Sequence, residues 1–307
     1  MNLPPPTRAE RWTACLLAGA IGDAWGSGYE NQTPPDPHLY HWGPAPPSVD
    51  PPWQITDDTQ LTLATAEALF PPAALTVERV VQSYLQLFRS RRLRGLGAST
   101  LRALRDLDAG IHWSQSGRQG EYAAGNGAAM RIAPLAFVES LSPDLFRDLC
   151  CLTHRNDEAY LGARAIYRTL RLLLTPDGTG MENIFTHLLD ELPDSRLRDR
   201  LATIASQLTT ATIHDIAQLG CDAYVVHSVP LALFAATQAQ VLGLEEMFRQ
   251  LIAVGGDTDT NCSLAGQIVG TWLGPRAIPP ALLDRLRELP DYDWLARIAA
   301  QGASLGD

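Results

Sequence analysis

The sequence predicts one all-α domain spanning residues 1–307. Three observations predict it. Apolar residues recur at three- and four-residue spacing through most of the chain after residue 58, the period of a helix with one buried face. No segment alternates apolar and polar residues convincingly enough for a strand. Hydrophobic residues make up 46% of 307, enough to bury a large core.

The elements follow in order. The first helix is "TACLLAGAIGDAWG", rich in small residues: Ala14, Ala18, Gly19, Ala20 and Gly22. A long loop follows, "NQTPPDPHLYHWGPAPPSVDPPW". Residues 1–52 hold 11 of the 22 prolines, and proline supplies no backbone donor and resists helix interiors. Loops this long in a compact domain are functional or disordered. Helical periodicity then runs through 59–70, 77–88, 158–174, 198–208, 223–239, 244–254, 262–273 and 281–290. Breaks containing proline fall near 175–177 and 274–280. The helix after Asp259 carries Cys262, Ser263, Ala265, Gly266 and Gly270. Small faces let helix backbones approach closely, so this helix and the first are expected at the centre.

Charge and composition exclude several functions. A net charge of -10 and a pI near 5.1 argue against a nucleic-acid or anionic-membrane partner. All 24 basic residues are arginine, so there is no Schiff-base lysine and no phosphate-loop lysine. The run "RSRRLRG" at 89–95 closes a helical segment, where cations suit the helix dipole. Five cysteines without a CxxC pair fit a reducing compartment, and the cytoplasm is the expected location. Arg8 and Arg11 before "WTACLLAGAIG" mimic a signal peptide, but the apolar run is short and Asp23 and Glu30 follow closely. No stretch is expected to reach the ~18 apolar residues of a membrane span.

Two acidic clusters carry the chemistry. "TDD" holds Thr56, Asp57 and Asp58, and "GGDTDT" holds Asp257, Asp259 and Thr260; they lie about 200 residues apart, each at a helix start. Capping and the helix dipole explain either cluster alone. If the two helix starts lie side by side, four carboxylates and hydroxyls converge, and desolvating them costs several kcal/mol each. A pair of divalent cations offsets that cost. The donors are all oxygen, which selects hard ions: Mg²⁺ or Mn²⁺, with Ca²⁺ a further option. An EF-hand fails, because Cys262 stands where its glycine belongs and Ile268 where its glutamate belongs. The glycines of "GNGAAMRIAPLAF" could turn backbone N–H groups toward an anion such as a diphosphate. His154, in "LTHRNDEAYLGA", precedes a helix and reads equally as a cap.

These segments in this order resemble the ADP-ribosylglycohydrolase family, which includes the enzyme that reactivates dinitrogenase reductase. The resemblance runs from residue 19 to 270, on "GAIGDAWGSGYE", "TDDTQLTLATAEAL", "GNGAAMR", "THRNDEAYLGA", "AYVVHSVPLALFA" and "GGDTDTNCSLAGQIVG". It implies a compact orthogonal helical bundle with a central binuclear site for two Mg²⁺ or Mn²⁺. It implies Thr56, Asp57, Asp58, Asp257, Asp259 and Thr260 as metal ligands, with Asp259 as the bridge. Glu30 and Asp58 are the implied catalytic carboxylates. Gly125, Asn126, Gly127, Ala128 and His154 are the implied contacts to ADP-ribose, and an ADP-ribosylated protein is the implied partner. One position departs from the family: His227 stands where relatives commonly carry an acid.

The reaction so implied is hydrolysis at C1″ of ADP-ribose through an oxocarbenium-like state, releasing an arginine guanidine or a serine hydroxyl. Two alternatives stay open: another metal-dependent hydrolase such as a phosphoesterase, and an inactive relative that only binds ADP-ribose. Nucleophilic hydrolases are disfavoured, since neither GxSxG nor HExxH occurs.

Overall fold

The computed structural model describes residues 4–30, 51–70, 74–175 and 180–304. Most of the proline-rich loop therefore lies outside the described residues. The chain is all-α, as the periodicity predicts. Its helices are α1 (Arg8–Gly26), α2 (Asp57–Glu67), α3 (Val77–Arg89), α4 (Ala98–Asp108), α5 (Pro143–Cys151), α6 (Asp157–Leu173) and α7 (Met181–Glu191). Then come α8 (Arg196–Ala205), α9 (Ile213–Ala217), α10 (Val225–Leu242), α11 (Leu244–Ala253), α12 (Thr258–Leu273), α13 (Pro280–Arg287) and α14 (Tyr292–Ala300). Two short strands, β1 (Arg118–Gln119) and β2 (His154–Arg155), pair in parallel with Arg118 opposite His154.

The centre is α1 lying antiparallel against α12, and the small residues explain why they meet. A methyl group built on Gly22 would stand 2.3 Å from the Cys262 carbonyl oxygen. One on Gly26 would stand 2.4 Å from that of Thr258. From the other side, Gly266 and Gly270 face the carbonyls of Ala18 and Ala14 at 2.3 and 2.2 Å. Four successive turns of each helix thus touch backbone to backbone. Helices α2, α6, α10 and α11 pack around this pair, and the buried apolar side chains form one continuous core.

Two features differ from expectation. Helix α10 is long and apolar enough to span a membrane, although no such stretch is apparent on a first reading. Its apolar length serves the core instead: 67% of it is buried inside the protein. The arginine run does not only solvate the end of α3. Arg89 pairs with Asp108 at 2.6 Å, and Arg92 and Arg94 pair with Asp291 at 3.1 and 3.2 Å, linking this turn to the start of α14.

Candidate active site and metal centre

Thr56 opens α2: its extended backbone and its hydroxyl, accepting from the Asp58 N–H, make it the N-cap. The Asp57 N–H is held by the Arg94 carbonyl at 2.8 Å, which fixes the first turn. At α12 the sequence solves a harder problem. Gly255 and Gly256 take φ values of 75° and 78°, the left-handed region that glycine adopts without strain. Gly256 also passes so close to Cys221 that a methyl group there would stand 2.4 Å from its carbonyl oxygen. That tight turn brings Asp257 under the same carbonyl, its N–H donating at 3.0 Å, and presents Asp259 and Thr260 from the first turn of α12.

The two helix starts do converge. The Thr260 hydroxyl donates to Asp58 Oδ2 at 3.2 Å, across 202 residues of sequence. Asp23, Asp58 and Asp259 each offer an oxygen within 4.8 Å of the others, and so do Glu30, Asp257 and Asp259. Asp259 belongs to both groups. Asp57 is in neither, yet it lines the same pocket, with Glu30, Asp58, Asp257, Asp259 and Thr260.

Asp23 is the member that sequence reasoning missed. It is fully buried in α1 and accepts three hydrogen bonds from the start of α2: Thr56 Oγ1 at 2.7 Å, Thr56 N at 3.0 Å and Thr59 N at 3.1 Å. Thr56 gives its hydroxyl proton to Asp23 and accepts from the Asp58 N–H, which leaves one oxygen lone pair uncommitted. A lone aspartate in a stretch of Ala, Ile, Gly and Trp carries no signal beyond being a charge on a face that must be buried.

Crowding shapes the electrostatics. Burial pushes Asp23 up to about 6 despite its donors. Burial, then the Asp23, Asp257 and Glu30 charges, raise Asp57 well above the ordinary carboxylate range. Burial and then Asp259 do the same to Asp58, and burial and then Asp257 to Asp259. Among the described residues no arginine makes an ion pair with Asp23, Asp57, Asp58, Asp257 or Asp259. Asp58 Oδ1 is buried without a hydrogen-bond partner, although a buried acceptor normally has one. An all-oxygen donor set whose aspartates pair with no arginine among the described residues, and which holds an orphaned oxygen, fits hard divalent metal.

Residues 4–306 match the family described as ADP-ribosylglycohydrolase. The chain belongs to that family. It is 24% identical to the ADP-ribosylhydrolase ARH3 of Gallus gallus, over 91% of this chain and 88% of that one. It is 25% identical to the ADP-ribosylarginine hydrolase Tri1 of Pseudomonas putida, over 93% of this chain and 76% of the relative. A solved structure titled "ADP-ribosylglycohydrolase-related protein complex" superposes with a TM-score of 0.70 at 27% identity, covering 98% of this chain and 99% of that one. Membership makes the chain a hydrolase of glycosidic linkages to ADP-ribose, in a metal-dependent family with an all-α fold.

Within this ADP-ribosylglycohydrolase the expected ligand-binding residues are mostly at the pocket. Gly125, Asn126, Gly127 and His154 line it; Ala128 is fully buried behind them and does not. The expectation that this backbone offers free donors needs one correction. The Asn126 N–H is spent on the Ala223 carbonyl at 3.1 Å, while its side chain donates to Asp257 Oδ2 at 2.6 Å. Asn126 therefore braces Asp257 at the start of α12. Fresh donors come from α4, which sequence reasoning passed over. Gly97, Ala98, Ser99 and Thr100 line the pocket, and this helix start has no side-chain cap.

His154 is neutral at physiological pH. Burial, then Arg131 and Arg118, push it down to about 3. Arg131 Nη2 donates to Thr153 Oγ1 at 2.8 Å, and the same hydroxyl shares a hydrogen bond with His154 Nδ1, also at 2.8 Å. In the tautomer in which Thr153 donates to Nδ1, the ring proton sits on Nε2, the edge beside Gly125. A methyl group on Gly127 would stand 2.5 Å from the ring, so glycine here makes room for the imidazole. His227 is not among the pocket residues; it hydrogen-bonds Asp222 at 2.8 Å, paired with an acid from the preceding turn.

Proposed function

We propose that the protein removes mono-ADP-ribose from arginine side chains of proteins by hydrolysing the C1″ glycosidic bond, with two divalent cations, Mg²⁺ or Mn²⁺. The observation that carries this reading is the pair of carboxylate groups joined through Asp259. One shared carboxylate between two oxygen-rich groups is the arrangement two neighbouring cations need. Thr56, Asp57, Asp58, Asp257, Asp259 and Thr260 would hold them, with Asp23 orienting Thr56. When bound, such ions supply Lewis-acid binding of hydroxyl oxygens and a lowered pKa for water.

The chain's own residues supply the rest. Glu30 is the exposed carboxylate of the pocket, and it stands on one of the two groups; we assign it the proton from the attacking water. Asp58 is 2% exposed and tied to Thr260, so it holds position and charge instead of exchanging protons with solvent. The open start of α4 suits the diphosphate, and His154 Nε2–H donates to the ligand. Arginine is the favoured linkage because the rim carboxylate suits a departing guanidinium, and because a relative matched over 93% of this chain is named for ADP-ribosylarginine hydrolysis. The free thiols suit a reducing compartment, and the cytoplasm is the proposed site of action.

The test is release of free ADP-ribose from an arginine-ADP-ribosylated protein, with Mg²⁺, with Mn²⁺ and with EDTA. Metal-dependent release that disappears in Asp259→Asn while the fold persists by circular dichroism is expected. Release unaffected by EDTA would remove the metal from the reaction. Release only from serine-linked substrate would reassign the linkage.

A further inference from the structure

Arg118 is a cation in an acid-lined pocket that the reading above does not use. It lies on β1, and three contacts hold this strand in place. The Arg118 N–H donates to the Thr153 carbonyl at 3.0 Å, and the Ser116 hydroxyl donates to the Leu152 carbonyl at 3.0 Å. Gly117, with φ 87°, passes Cys151 so closely that a methyl group would stand 2.3 Å from its carbonyl oxygen. Register pairing then sets Arg118 directly opposite His154, and paired residues of neighbouring strands project to the same face. Both residues line the pocket.

The guanidinium is unused by the fold. Among the described residues it has no hydrogen bond, ion pair or ring contact. Every other arginine of the pocket region has a partner: Arg94 takes Asp291, and Arg131 takes Tyr84, the Leu149 carbonyl and Thr153. Yet Glu30, Asp57, Asp58, Asp257 and Asp259 line the same pocket. A half-buried guanidinium shares a cavity with five carboxylates and pairs with none of them. It has five N–H donors without acceptors. The acceptor that completes it must be anionic, must enter the pocket, and must sit away from the carboxylate end. In ADP-ribose the diphosphate meets all three conditions, and bidentate Arg–phosphate pairing is the strong form of that contact. No Phe, Tyr or Trp lines the pocket among the described residues, which leaves the polar portion of the ligand as the part this wall can read.

We infer that Arg118 is a substrate-binding residue that clamps the diphosphate of ADP-ribose; this rests on the ADP-ribose reading of the site. A contact to the diphosphate acts on binding and not on the chemical step at C1″.

Titration calorimetry of the Mg²⁺-loaded full chain with ADP-ribose, at low and high NaCl, tests the assignment, alongside Arg118→Ala and Arg118→Lys. Charge-assisted contacts of this kind correspond to about a 10- to 100-fold loss of affinity in Arg118→Ala, with Arg118→Lys in between. The salt dependence should flatten in Arg118→Ala. Its melting temperature and its Mn²⁺ affinity should match wild type, since the side chain supports neither fold nor metal. With ADP-ribosylated protein, KM should rise while kcat holds. Wild-type affinity for ADP-ribose in Arg118→Ala would overturn the assignment and leave the functional reading standing. A raised KM for the protein substrate together with unchanged ADP-ribose affinity would also overturn it, placing Arg118 against the protein instead. Arg118→Lys no better than Arg118→Ala, with unchanged salt dependence, would show packing and not charge. No ADP-ribose binding by the wild type would bring down the functional reading and this residue's role together.

Discussion

At the scale of single residues, Asp23 makes the sharpest case. It takes the Thr56 hydroxyl proton and the N–H groups of Thr56 and Thr59, so it orients Thr56, a proposed metal ligand, at the start of α2. Residues that orient ligands in this way commonly change metal affinity by 10- to 100-fold when altered. Asp23→Asn is therefore expected to weaken Mn²⁺ binding by about that factor, read by calorimetry, while the helical circular dichroism spectrum stays wild-type. Unchanged Mn²⁺ affinity would reduce Asp23 to a helix cap. The contrast with Asp257 and Asp259 explains what was legible. Acids two apart after two glycines demand a cation or a solvated turn, so they announce themselves in the sequence. Asp23 acts across 33 residues of separation and Arg118 across 36, through contacts that only the packing creates.

At the scale of elements, the pattern of small residues was readable and its partner was not. Small faces on α1 and α12 mark both as central, but only the structure gives their register, Gly22 against Cys262 and Gly270 against Ala14. Gly270 lies at the opposite end of α12 from Asp259, which makes it a clean probe of the packing. A methyl group there would stand 2.2 Å from the Ala14 carbonyl oxygen, an oxygen that belongs to the backbone and cannot rotate away. The helices must separate to admit it. Overpacking of this kind costs about 1–3 kcal/mol. Gly270→Ala should therefore melt several degrees below wild type in a thermal scan, and a melting temperature at or above wild type would contradict the backbone contact. Helices α4, α5, α7, α9 and α14 were not read from the sequence. The start of α12 was placed four residues late, at Cys262, because Thr258, Asp259 and Thr260 are poor helix formers held there by their contacts.

At the scale of the whole molecule, the site loads the fold with groups whose charge state must differ between folded and unfolded chains. His154 gives this a definite sign. Its folded pKa is about 3 and its ordinary value 6.5, so between those values the unfolded chain takes up a proton that the folded chain refuses. Stability is thus fully present above 6.5 and is lost as pH falls from there toward 3. Around the ring the charged groups are Arg131 and Arg118, both cations, and no carboxylate hydrogen-bonds it, so nothing nearby reverses the direction. At pH 5 the window is open by about 1.5 units, which corresponds to ~2 kcal/mol. His154→Gln removes the titration and keeps a polar side chain. Urea unfolding of the two proteins in EDTA, at pH 7 and at pH 5, isolates the effect, because the carboxylates contribute alike to both. The wild type should lose about 2 kcal/mol more than His154→Gln on going to pH 5. Equal losses would mean that His154 accepts its proton in the folded state, and that the imidazole facing the pocket is a cation beside Arg118 instead of a neutral donor to the ligand.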